Sequence, residues 1–200
     1  MKTHRIAILP GDGIGPEVMA EAVRVLEAAA AAFGLSLMLE EGLIGGAALD
    51  ATGRFLPPET LKICREADAV LLGPVGGSRW EHPTGSQHPK QAVQTLRSWL
   101  GTYATVRPIR LYPCVADKSP MKQVERGLDL VVVHDHASGL PYGTPRGIEA
   151  LDGKRVATNT QIYTSLEIER VARLAFRLAA ERSGRVVSVD QSKLLETGQL

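Results

Sequence analysis

Arg5-Ile-Ala-Ile-Leu9, followed at once by Pro10-Gly-Asp-Gly-Ile-Gly-Pro-Glu17, is the stretch on which the fold turns. A short apolar run without polar alternation reads as a strand covered on both faces, the mark of a parallel sheet. Pro10 and the glycines after it end that strand in a loop. Pro16 suits the first turn of a helix, where its missing N–H costs nothing. The spacing of Val18, Ala22, Val25, Leu26 and Ala29 predicts one apolar stripe along that helix, and Gly34 stops it.

Outward from this unit, Leu35 to Glu40 alternates as a second strand and Pro58 to Ala67 reads as a second helix. Ala69-Val-Leu-Leu72 is a third strand, buried by its composition, running into Gly73-Pro-Val-Gly-Gly77. The β-loop-α-β-α-β order predicts an α/β fold with a doubly wound parallel sheet and right-handed crossovers. Beyond Trp80 a polar stretch with Pro and His precedes a helix around Gln91 to Leu100. Tyr103 to Tyr112 is extended, and Leu128 to Val133 has the strongest strand pattern of the chain. Gly139 to Thr164, with Gly, Pro and alternating polar residues, suits a projecting β-hairpin arm. A long helix with Ile168, Val171, Ala172, Leu174, Ala175 and Leu178 facing inward follows, and Arg185 to Val189 reads as a final strand. The expected division is residues 1–100, the N-terminal part of a first α/β domain, and 101–200, a partial second α/β domain carrying the arm 139–164.

Composition narrows the function classes. With 200 residues and 44% apolar content the chain can bury a sizeable core. A net charge of +1, with Lys and Arg scattered, argues against a dedicated nucleic-acid or membrane surface. Cys64 and Cys114 lie far apart with no zinc spacing and suit free thiols in a reducing compartment. Met1 to Leu9 is too short and polar for a signal segment, and no apolar run approaches a membrane span. A cytoplasmic protein is the expectation.

Three constellations carry possible chemistry. The glycine loops after the first and third strands lie where open α/β sheets bind ligands, although GDGIGPE is not the GxGxxG dinucleotide motif. Arg97 and Arg107 offer two planar forks, enough to clamp a dicarboxylate. Val133-His134-Asp135-His136, placed directly after the strongest strand, sets His134 and His136 on one face, where they could act as acid and base or ligate a metal. Each also has a plain structural reading: tight turns, solvated arginines and a polar strand exit.

Taken together, Leu9-Pro-Gly-Asp-Gly-Ile-Gly-Pro-Glu17, Gly45-Gly-Ala47, Ala69 to Gly77, Leu96-Arg97, Val106-Arg107-Pro108, Tyr142 to Gly147, Glu169 to Phe176, Val187-Ser-Val-Asp190 and Leu195-Glu196 resemble the isopropylmalate, tartrate and isocitrate dehydrogenase family. The likeness runs in register along the whole chain and corresponds to the family's N-terminal half. It implies NAD or NADP with Mg or Mn, and oxidation of a 2-hydroxy acid followed by decarboxylation. It also implies that Arg97 and Arg107 hold the substrate carboxylate, and that Ile14, Pro74, Val75 and Gly76 line the nicotinamide side.

The reactive positions depart from the pattern. His134 replaces a third substrate arginine, Pro141 the proton-donating tyrosine (Tyr142 is one place out of register), and Lys90 a glutamate near the nicotinamide. In the Val-Asp-Lys stretch Asp190 is kept, but the lysine is Gln191, with Lys193 two places on. The family's metal aspartates and adenine loop have no counterpart in this sequence. These departures imply weak NAD binding and a pocket for a small 2-hydroxy dicarboxylate parted from redox chemistry. His134, His136 and Asp190 are the candidate catalytic groups, with no metal ligands assigned. The alternatives are a non-redox decarboxylase, dehydratase or isomerase using His134 or His136 beside Arg97 and Arg107, or a non-catalytic carboxylate-binding or interaction protein. Sheet edges and apolar faces needing cover imply a homodimer through the arm, or a separate C-terminal half.

Overall fold

The computed structural model describes residues 2–80, 89–121 and 127–200. The chain divides into two compact units, Met1–Gly101 and Thr102–Leu200. In the first, β1 (Thr3–Leu9) lies between β2 (Ser36–Glu41) and β3 (Ala69–Leu72), parallel to both. The unalternated β1 run is central for the expected reason: Ala7 and Leu9 are fully buried. Helices α1 (Gly15–Phe33), α2 (Gly46–Thr52), α3 (Pro58–Glu66) and α4 (Pro89–Trp99) complete the unit. Leu9, Ile44, Phe55, Cys64, Ala92 and Leu96 form its core, and burial pushes the Cys64 thiol above its ordinary range. The strand order β2-β1-β3 means that the chain winds to one side of β1 and then crosses to the other. A topological switch point therefore lies between the C-terminal ends of β1 and β3. The polar stretch after Trp80 (81–88) lies outside the described residues.

The stripe on α1 is rotated from its expected position. Met19 and Ala30 are buried, with Ala22, Val23 and Leu26 half-buried between them, whereas Val18, Val25 and Ala29 are exposed. An alanine-rich helix carries apolar residues nearly all round, so spacing alone does not fix which face turns inward. Helix α2 was not anticipated, being short and opening on two glycines.

In the second unit β4 (Ala104–Leu111) pairs antiparallel with β5 (Leu128–Asp135), setting Thr105 opposite His134 and Arg107 opposite Val132. His134 and Asp135 are thus the last residues of the strand rather than a segment beyond it. Helix α5 (Ser165–Ala180) opens on a capping box, Thr164 accepting from the Glu167 N–H and Glu167 from the Thr164 N–H. Its expected inward residues are all half-buried, and it packs on β5. On β5, Val131, Val133 and Asp135 are half-buried while Leu130, Val132 and His134 are exposed. The helix covers the first of these faces. Arg182, just past its end, donates to Asp129 on that face at 2.5 Å. The arm is a hairpin of β6 (Gly147–Leu151) and β7 (Lys154–Thr158). Asp152 (φ 50°) and Gly153 (φ 73°) form its turn, both left-handed as a tight hairpin of matching twist demands.

Residues 185–189 are not a strand. Val187 and Val189 are 76% and 92% exposed, and among the described residues no strand pairs with this segment. β-propensity expresses packing against a neighbouring strand, and here there is none to pack against. Among the described residues, no helix is long and apolar enough to cross a membrane.

Two measurements check these assignments. Met19→Ala should cost about 2–4 kcal/mol in denaturant unfolding, the usual loss for a buried large-to-small change. Val25→Ser should stay within about 0.5 kcal/mol; a larger loss at Val25 than at Met19 would mean that α1 is turned the other way. The Arg182 guanidinium, with Arg110 behind it, holds the Asp129 carboxyl below its ordinary 3.8. A lowered folded-state value contributes stability above the unfolded value and loses it as pH falls through the folded one. Below about pH 4, the melting temperature should therefore fall more steeply in the native chain than in Asp129→Asn.

Candidate functional site

The two glycine loops of the first unit meet at the switch point and are joined by one side chain. Asp12 is 3% exposed. Its Oδ2 accepts from the N–H groups of Gly46 (2.9 Å) and Gly76 (2.7 Å), and its Oδ1 from that of Ala47 (2.7 Å). Its own N–H donates to the Pro74 carbonyl at 2.7 Å. One residue thus ties the loop after β1 to the loop after β3 and to the first turn of α2. Two glycines make the approach feasible. Gly11 (φ 77°) passes so near the Pro74 carbonyl that a Cβ would strike it, and a Cβ on Gly45 (φ 80°) would strike the Asp12 carboxylate.

Around this tie lie the residues expected to face a nicotinamide. Ile14 is 67% exposed at the start of α1, Pro74 is exposed, and Val75 and Gly76 are half-buried. Arg97 is half-buried on α4 and Lys90 lies at the opening of the same helix, both in this first unit.

The remaining expected groups belong to the second unit. Paired residues of an antiparallel ladder share a face, and so do residues two apart along a strand. Arg107, Thr105, Val132 and His134 therefore share the face of β4–β5 that α5 leaves open, and Arg107 and His134 are both exposed on it. They are diagonal neighbours, roughly 7–8 Å apart on this geometry. His136 follows just past β5, its N–H bonded to the Tyr103 carbonyl. Its imidazole bonds two hydroxyls, Nδ1 with Thr105 Oγ1 at 2.7 Å and Nε2 with Thr102 Oγ1 at 3.1 Å. Asp135 turns to the other face and accepts from the Ala137 N–H and the Ser138 hydroxyl.

Asp190 is exposed in the segment after α5, accepting from the Ser192 N–H at 2.9 Å, and its bonding to Ser192 lowers its pKa. Gln191 and Lys193 beside it are exposed. Tyr142 is half-buried, and the Pro141 carbonyl accepts from Arg146. Among the described residues, no three His, Cys, Asp or Glu side chains gather into a possible metal-binding group.

Sequence reading overlooked Asp12, Thr102 and Thr105. Asp12 left one signal: it is the single acidic residue of the loop from Pro10 to Gly15.

The family of isocitrate/isopropylmalate dehydrogenases matches residues 5–200. The chain is 46% identical to a 3-isopropylmalate dehydrogenase of Oleidesulfovibrio alaskensis over 198 residues, covering 98% of this chain and 55% of that protein. It is 44% identical to the 3-isopropylmalate dehydrogenase of Aquifex aeolicus, covering 100% and 55%. Among solved structures it superposes on an isocitrate dehydrogenase from Methylococcus capsulatus with a TM-score of 0.77 at 28% identity, covering 98% of this chain and 53% of that one. A beta-decarboxylating dehydrogenase from Thermococcus kodakarensis gives 0.65, also at 28% identity. The chain spans about half the length of the relatives that it matches.

The Asp12 tie has a measurable signature. Asp12→Asn turns an N–H₂ toward backbone donors on one side and should cost about 1–3 kcal/mol. Hydrogen exchange at the Gly46, Ala47 and Gly76 amides should quicken together in this variant. If one of the three speeds up alone, Asp12 does not join the loops as a unit.

Proposed function

Because this chain belongs to the isocitrate/isopropylmalate dehydrogenase family, we propose that its second unit carries a binding face for a small 2-hydroxy dicarboxylate, centred on Arg107. The observation that carries this is the ladder register, which sets exposed Arg107 diagonal to exposed His134 on the face away from α5. A guanidinium there grips a carboxylate by its fork. His134 is within reach of the same ligand as a weaker cation or a proton acceptor. Arg107 alone carries this proposal, since Arg97 belongs to the other unit.

The family reaction is oxidative decarboxylation with a nicotinamide cofactor and a divalent metal. A nicotinamide, where bound, would supply the hydride acceptor for oxidation of the hydroxyl-bearing carbon. In this chain Ile14, Pro74, Val75 and Gly76 are the residues proposed to face that ring, held in place by Asp12. No step is assigned to a metal. Pro141 and Gln191 bring no proton-transfer group to the positions where the family uses tyrosine and lysine. Binding is therefore proposed to outlast redox chemistry, with NAD held weakly. Should the face turn over a substrate without redox, His134 is the proposed base, since both ring nitrogens of His136 are engaged by threonines. Ile148 and Leu151, 65% and 57% exposed on the arm, are the apolar residues that a second copy would cover.

Thermal shift on the 200-residue chain with malate, with and without NAD and Mg²⁺, tests the reading. Malate at a hundred times its Kd should add about 2.7 kcal/mol of stability by mass action. Arg107→Lys keeps the charge but loses the fork, so most of that gain should vanish. NAD should add little. A malate gain unchanged in Arg107→Lys would remove the carboxylate face from the reading, and micromolar NAD binding by calorimetry would restore the redox one.

A further inference from the structure

We propose that Thr105 is a second ligand-binding group on the Arg107 face, its hydroxyl donating to the same ligand, with His136 and Thr102 holding it in that orientation. This rests on Arg107 being the carboxylate ligand. Thr105 lies two residues before Arg107 on β4 and directly opposite His134, so it shares their open face. Its hydroxyl already bonds His136 Nδ1 at 2.7 Å, while His136 Nε2 bonds Thr102 Oγ1 at 3.1 Å.

A neutral imidazole has one N–H and one lone pair, so the chain Thr102–His136–Thr105 has a direction. With the proton on Nδ1, His136 donates to Thr105, Thr102 donates into Nε2, and the Thr105 O–H is left to aim at the face. With the proton on Nε2, Thr105 gives its hydrogen to Nδ1 and turns only lone pairs outward, which repel a carboxylate. An anion on Arg107 selects the first arrangement, because a donor pointing at a charged oxygen makes the stronger bond. Thr105 is β-branched and stiff at χ1, so the His136 contact and the strand together fix its rotamer. His136 thereby acts as a positioning residue, and the ligand favoured is one with two oxygens spaced to meet Arg107 and Thr105 together.

Calorimetric titration of malate into the whole chain tests this in six forms: native, Arg107→Lys, Thr105→Val, Thr105→Ser, His136→Phe, and the Thr105→Val/His136→Phe double variant. Thr105→Val should weaken binding roughly ten- to a hundredfold, the loss of one hydrogen bond to a charged group. Thr105→Ser should stay within about threefold of native, since it keeps the donor. His136→Phe should weaken binding about as much as Thr105→Val, and the double variant no further, because the histidine acts through the threonine. Should Thr105→Val not fold, Thr105→Ala takes its place under the same criterion. If Thr105→Val binds malate within about twofold of native while Arg107→Lys does not, Thr105 is not a ligand group and the Arg107 face stands. If neither variant weakens binding, the face and this inference fall together. Additive losses in the double variant would overturn the positioning role of His136.

Discussion

A carboxylate taken out of water is tolerated only when donors replace the solvent it has lost. For Asp12 these donors are backbone amides from two separate segments, at Gly46 and Ala47 and at Gly76. The strand order that makes a switch point between β1 and β3 would by itself leave two loops side by side with no fixed relation. Asp12 supplies the relation. It also explains α2, whose first turn has orphan N–H groups and no capping side chain of its own. A residue from far earlier in the chain caps it instead.

In the second unit the governing constraint is the period of two along a strand. The candidate groups are aimed not by any bond of their own but by the burial of Val131 and Val133 under α5, which turns Val132 and His134 the other way. A slip of one residue in the β4–β5 pairing would move Arg107 to the opposite face of its strand and part it from His134. The polar chemistry of the open face is thus set by apolar packing on the covered one, and Arg182 on Asp129 fastens the far end of the same arrangement.

What was legible in the sequence was whatever a local pattern determines. The unbroken apolar runs of β1 and β3, Gly34 as a helix stop, and the Gly, Pro and alternating polar residues of the arm each contain enough local information to name an element. Features decided by tertiary neighbours escaped. The rotation of α1 depends on which of several apolar faces meets the sheet, and the alanine-rich sequence offers too little contrast to say. Residues 185–189 have a strand's composition but, among the described residues, no strand beside them. Arg107 and His134 could be singled out individually, yet their shared face depends on the β4–β5 register. The role of Asp12 lay in the backbone amides of Gly46, Ala47 and Gly76, which leave no side-chain signature.

The arm has a consequence for the chain as a physical object. Every residue of β6 is exposed, and β7 keeps Val156 and Thr158 half-covered at most. A two-stranded ribbon of this kind gains little from burial and holds together mainly through its own ladder, so it opens at a small fraction of the free energy that unfolds either unit. Lys154 and Arg155 stand exposed just past its turn. A protease that cuts after basic residues would find a substrate there once the ribbon opens, and scission at that point would separate β4 and β5 from α5 in sequence. A surface laid over the ribbon would close that route by holding the ladder shut.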